Sequence, residues 1–179
     1  MQSKLTISPE TDASKQEIHT DFESIRKLLA QYKIGYERWT TDKPLSLTAS
    51  PEEVGEAYKT SIDKIMKMGY KSYDVVSLNP DSPNAAEARK KFLGEHTHAE
   101  DEVRFFVDGS GMFYVHADGK VFMLLCTKGD YINLPAGTTH WFDMGPKPHF
   151  KAIRVFNNPD GWVGKFTGST ISENFPKYE

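Results

Sequence analysis

The chain has 179 residues, 38 % of them apolar and 26 % charged, with a formal net charge of −3. That length suits a single domain, 1–179, with a sizeable core, and the charge offers no basic face for nucleic acid or an anionic membrane. The one cysteine, Cys126, excludes an internal disulfide framework and fits a reducing compartment. No apolar leader follows Met1, and the longest apolar run, Val121–Cys126, is far too short to span a bilayer, so a cytoplasmic location is expected.

Helical signals dominate the first 93 residues. Thr20 with Glu23 makes a capping box, Ile25, Leu28, Leu29 and Tyr32 follow at helical spacing, and Gly35 is placed to end that helix. Ser50 caps a second helix, with Pro51 at its first position and Glu53 closing the box. Val54, Tyr58, Ile62, Ile65 and Met66 form its apolar stripe, and Gly69 stops it. A third, short helix is predicted from Asn84 to Phe92. Tyr36–Trp39 and Ser72–Leu78 read as strands.

From Glu95 onward short apolar segments alternate with turn signals: Asp108–Gly111, Asp118-Gly119, Lys128–Asp130, Pro135–Gly137 and Asn157–Gly161. Spacings near ten residues predict a sandwich or barrel. Met112–His116 and Val121–Cys126 are expected to form a hairpin turning at Asp118-Gly119. The last dozen residues, rich in Ser, Thr, Lys and Glu, are expected to wrap the surface.

Six histidines occur in the chain, and two stand two apart in His96-Thr97-His98. Residues two apart on a strand face the same side, so both imidazoles reach one point. The polar triplet Ala99-Glu100-Asp101 reads as a turn that brings Glu102 onto a neighbouring strand facing the same point. His140 follows the turn at Pro135–Gly137. Three histidines and a carboxylate suit a borderline divalent ion such as iron, nickel, manganese or cobalt. Held octahedrally, such an ion keeps two positions for a substrate that binds through two oxygens; a closed tetrahedral zinc uses the same four ligands. His19, His116, His149 and Cys126 read as structural.

Strand parity extends the site. If Glu102 points inward, so do Arg104 and Phe106, whereas Val103, Phe105 and Val107 face outward; His140, Phe142 and Met144 share a face by the same rule. Arg154 lies between Ile153 and Val155, either in the barrel mouth or at a partly exposed edge. Two arginines in the mouth would draw in an anion.

Spacing also carries a resemblance. His96-x-His98, three residues, Glu102, six residues and Gly109 is similar to the first cupin motif. Gly129, five residues, Pro135-x-Gly137, two residues and His140 is similar to the second. Lys90 and Met144 stand where those motifs usually carry Gly and Asn, neither of them a ligand position. The fold expected is mainly β: a cupin double-stranded β-helix, or jelly-roll barrel, with N-terminal helices. Residues 1–93 pack on the barrel, 94–162 form the metal-binding core and 163–179 form a C-terminal surface segment.

More narrowly, Gly94–Phe105 and Pro135–Phe142 resemble the signatures of the acireductone dioxygenases of methionine salvage, and Ile153–Phe156 with Asn157–Trp162 is similar to that family's final strand and loop. The resemblance implies a cytoplasmic enzyme that oxidises 1,2-dihydroxy-3-keto-5-methylthiopentene with O2, using one Fe(II) or Ni(II) per chain. Formate and 4-methylthio-2-oxobutanoate are implied with iron; formate, carbon monoxide and 3-methylthiopropanoate with nickel. It places the metal on His96, His98, Glu102 and His140 and the substrate dianion on Arg104. Glu95 and Asp101 fall on positions tied to metal incorporation and conformational transmission. Arg154, Phe142, Phe106 and Trp162 are the further substrate-binding candidates, with the two phenylalanines and the tryptophan around the methylthio end. A monomer is expected, with no nucleic-acid or membrane partner. Two rivals stay open here: a metal-dependent isomerase cupin that consumes no oxygen, and a non-enzymatic cupin that binds a small molecule.

Overall fold

The computed structural model describes residues 2–158 and 162–179. It begins with two strands that the sequence pattern did not indicate, β1 (Lys4–Pro9) and β2 (Glu17–His19). Leu5 and Ile7 of β1 alternate into the core, and β1 pairs antiparallel with a later strand along its whole length. Helix α1 (Phe22–Ala30) buries Ile25 and Leu29. Its cap is Asp21, not Thr20: the Asp21 carboxylate accepts from the Ser24 N–H at 2.8 Å. Gly35 does not end this helix. The chain turns at Lys33, which adopts φ 61°, and Gly35 opens strand β3 (Gly35–Arg38).

The second predicted helix starts where expected. Ser50 and Glu53 exchange both bonds of the capping box, Ser50 N–H to Glu53 Oε2 at 2.7 Å and Glu53 N–H to Ser50 Oγ at 3.2 Å. It is then broken at Tyr58, where φ −110° and ψ 20° leave the helical region, giving α2 (Pro51–Ala57) and α3 (Lys59–Met66). Tyr58 stays buried and its ring meets Phe105 edge-on at 5.8 Å, so the break lets one apolar stripe follow the curved sheet below it. Strand β4 (Ser72–Leu78) and helix α4 (Ala85–Phe92) match their expected spans.

The barrel strands are β5 (His96–Thr97), β6 (Glu102–Ala117), β7 (Lys120–Thr127), β8 (Asp130–Leu134), β9 (His140–Asp143), β10 (Phe150–Phe156) and β11 (Lys165–Phe166). The 16 residues of β6 belong to two sheets. Its first half pairs with β10 and β8, and its second half with β7 and β9. All these pairings are antiparallel, and two faces closing on one interior give the jelly-roll architecture. The Asp108–Gly111 signal is therefore no loop; it is the bend where β6 changes sheets. Gly109 takes φ 67° there, a Cβ on it would lie 1.8 Å from the His149 carbonyl oxygen, and the β10 register slips between Lys151 and Ala152. The β6–β7 hairpin turns at Asp118-Gly119 as expected, with φ 50° and 70°.

Parity holds along the first half of β6 and shifts by one residue at the Gly109 bend, so that Phe106 before it and Phe113 after it both face inward. Phe106, Phe113, Phe142, Phe150 and Met144 fill the barrel, while Val103, Phe105 and Val107 face outward under Val54, Tyr58, Ile62 and Ile65 of the helices. The C-terminal residues are mostly exposed, but Phe175 is buried against Trp141. No helix among the described residues is long and apolar enough to cross a membrane.

Candidate metal centre

Four short pieces of backbone meet at one mouth of the barrel. β5 brings His96, the turn after it brings His98, the first residue of β6 is Glu102, and the first residue of β9 is His140. His96 and His140 are register partners across β5 and β9. One ligand atom from each of the four side chains lies within 4.8 Å of all the others. Donors about 2.1 Å from a common ion stand up to ~4.2 Å apart, so the cluster has nearly the span of one coordination sphere.

The backbone fixes which nitrogen each ring offers. Nδ1 of His96 faces the Gly94 carbonyl at 2.7 Å, Nδ1 of His98 the Val163 carbonyl at 3.1 Å and Nδ1 of His140 the Thr138 carbonyl at 2.8 Å. A carbonyl only accepts, so each Nδ1 carries the proton and each neutral ring turns an Nε2 lone pair away from its carbonyl. Nε2 of His98 and of His140 then face Glu102 Oε2 at 3.0 and 2.8 Å. A carboxylate oxygen against these nitrogens calls for positive charge between them, a proton on the ring or a metal ion, and three nitrogens with one oxygen suit a borderline divalent ion. The residues fit a metal.

The electrostatics agree. Burial and the neighbouring His140 push the His96 pKa down to about 4. At His98 burial acts downward, but the Glu102 carboxylate and the Val163 carbonyl outweigh it and raise the pKa. Burial acts to raise Glu102, yet Arg104 and the histidines hold it well below the usual carboxylate range. Arg104 is itself 4 % exposed and donates from Nε to Glu102 Oε1 at 2.8 Å. Its guanidinium stands 4.5 Å from the Phe142 ring centre, 5.2 Å from Phe113 and 5.7 Å from Trp162.

A cavity of about 420 Å3 opens over the four ligands, lined also by Lys91, Phe92, Arg104, Phe142, Arg154, Trp162, Val163, Gly164 and Phe166. A larger cleft of about 530 Å3, around Gly109, Met144 and Tyr178, contains none of the ligands. Arg154 sits opposite Arg104 on β10 and β6 and is bound at both ends of its fork to Asp74, with Nε donating at 2.8 Å. Trp162 lies 5.8 Å from the His98 ring and donates from Nε1 to the Asp101 carbonyl at 3.1 Å.

Other candidates fall elsewhere. Phe106 is fully buried behind Phe142 and does not line the cavity. The Glu95 side chain turns away from the ligands to His116 and Thr167. The Asp101 carboxylate accepts from the Ala136 N–H at 2.9 Å, bracing the loop that leads to His140. Lys91, Phe92, Val163 and Gly164 were not foreseen. They come from the end of α4 and from the approach to β11, and only the closure of the barrel brings those segments to the mouth. Of the Asn157–Gly161 turn signal, residues 159–161 lie outside the described residues.

Comparison with known proteins places this geometry. The model of the ARD/ARD′ family matches residues 5–164. Acireductone dioxygenase 2 of Pectobacterium atrosepticum is 49 % identical over 179 residues, 99 % of this chain and 99 % of that protein. The acireductone dioxygenase of Pseudomonas syringae pv. tomato is 53 % identical over 161 residues, 89 % of each chain. Among solved structures, an acireductone dioxygenase from Bacillus anthracis with a cadmium ion in its active centre superposes with a TM-score of 0.81 at 28 % identity, covering 92 % of this chain and 98 % of that one. The chain belongs to the ARD/ARD′ family.

Proposed function

We propose that the protein is an acireductone dioxygenase that oxidises 1,2-dihydroxy-3-keto-5-methylthiopentene with O2 in methionine salvage. The observation that carries this reading is the convergence of His96, His98, Glu102 and His140 under a cavity that Arg104 also lines. These four residues hold one Fe(II) or Ni(II) per chain. The bound ion supplies Lewis acidity and a template for a substrate that chelates through two oxygens.

The remaining roles belong to the protein. Arg104 has five N–H donors and commits one to Glu102, so its terminal nitrogens serve the enediolate oxygens. Arg154, neutralised by Asp74, adds little net charge but walls the cavity beside Trp162. Phe92, Phe142, Trp162, Val163 and Phe166 surround the methylthio end and exclude water from the anion. Asp101 couples the Trp162 side of the mouth to the His140 loop through its carbonyl and its carboxylate. The reading includes a monomer in the cytoplasm; the free, buried Cys126 fits a reducing compartment.

The products follow the ion: formate and 4-methylthio-2-oxobutanoate with iron, and formate, carbon monoxide and 3-methylthiopropanoate with nickel. The test is oxygen uptake by metal-loaded protein with the acireductone. An isomerase or a simple binding protein takes up none.

A further inference from the structure

The wall of the site formed by residues 163–167 has little apolar anchorage. Val163 and Phe166 are 67 % and 57 % exposed, and β11 meets β5 through two residue pairs, Lys165 with Thr97 and Phe166 with His96. A two-residue edge strand holds poorly by itself. Yet this strap carries the carbonyl of Val163 that accepts from His98 Nδ1, and Gly164 lies against the rings of both His96 and His98.

What fastens the strap is its last residue. The Thr167 N–H donates to the Glu95 carbonyl at 3.0 Å, and the Thr167 hydroxyl donates to Glu95 Oε1 at 2.7 Å. Glu95 is 4 % exposed, so its oxygens need partners. The second one, Oε2, faces Nδ1 of His116 at 2.8 Å, and Nε2 of that ring faces Glu10 at 2.6 Å. The barrel thus pins a buried carboxylate from one side, and the carboxylate holds the strap from the other.

We propose that Thr167 is a positioning residue of the metal centre: its hydroxyl, through Glu95, keeps the Val163 carbonyl on His98 and so keeps Nε2 of His98 turned to the metal. The inference rests on the metal-site reading above. Groups that orient a ligand histidine are commonly worth about 10–100-fold in metal affinity.

Thr167→Val keeps the shape and the Thr167 N–H bond and removes the hydroxyl, with its bond to Glu95 and the one it accepts from the Ser169 N–H at 3.2 Å; Thr167→Ser restores both. Both variants and the parent are loaded with Zn(II), and metal loss into excess chelator is timed beside a thermal melt. Thr167→Val is expected to lose zinc at least ~10-fold faster while melting close to the parent, and Thr167→Ser to behave as the parent. In 15N-labelled zinc protein, the His98 Nδ1–H should exchange faster in Thr167→Val while those of His96 and His140 do not change. Zinc loss at the parent rate, or equal loss of protection at all three histidines, overturns the proposal. A parent that binds no zinc overturns the metal-site reading beneath it.

Discussion

Arg104 donates from Nε to Oε1 of Glu102 at 2.8 Å, while Oε2 of the same carboxylate faces His98 and His140. The arginine therefore shapes a ligand as well as lining the cavity. Arg104→Ala should lower kcat by about one to two decades, the size of a lost charge-assisted contact of ~1.5–3 kcal/mol. It should also weaken metal binding, because Glu102 loses the strongest of the partners that, together with the histidines, offset its burial. Steady-state rates and metal titration on the same preparation check both. Full turnover in Arg104→Ala would remove the arginine from the chemistry.

His96→Ala and His140→Ala should each lose the bound metal and all oxygen uptake while remaining folded. Each ring is buried, but its removal leaves three donors, too few to retain the ion through purification. Elemental analysis after dialysis decides it: one metal per chain in either variant strikes that residue from the ligand set.

Metal affinity should climb with pH. Only a neutral imidazole binds a metal. His96 is already neutral near pH 7, since its pKa is pushed down to about 4. His98 is raised, so a proton on its ring competes with the metal. The apparent affinity should fall steadily as pH drops through ~6.5 and level off only above it. An affinity independent of pH from 5.5 to 8.5 would contradict a site built on this ring.

Gly111→Ala should disturb the cavity from behind. A Cβ at Gly111 would lie 2.3 Å from the edge of the Phe142 ring. The ring must move, at a cost of roughly 1–3 kcal/mol for overpacking. Since Phe142 lines the cavity, KM for the acireductone should rise more than kcat falls. A variant with parental stability and KM would show that the ring moves freely.

The ligand set was legible because it depends on local rules. Two residues apart at and just past β5, one residue after the turn into β6 and one after the turn into β9 are spacings that sequence displays directly. Strand parity likewise put Arg104 beside Glu102 and Phe105 outside. What sequence hid was set by tertiary closure. Phe106 shares parity with Arg104 but lies too deep to reach the mouth, and Phe92 reaches it from a helix. Gly109 looked like a turn because a positive φ serves a strand bend as well as a loop. Thr20 and Asp21 are both good caps, and only the Ser24 bond separates them. The β1 strand was missed because Leu5 and Ile7 alternate over too short a span to stand out.

The central claim is that these four ligands serve a dioxygenase whose products follow its metal. The direct measurement is to strip the protein, reload separate samples with Fe(II) and Ni(II), add the acireductone under oxygen, and record oxygen uptake beside formate and carbon monoxide. The account predicts oxygen uptake and formate from both samples, with carbon monoxide from the nickel sample alone. Identical products from both samples would contradict the metal dependence, and no oxygen uptake from either would contradict the dioxygenase assignment itself.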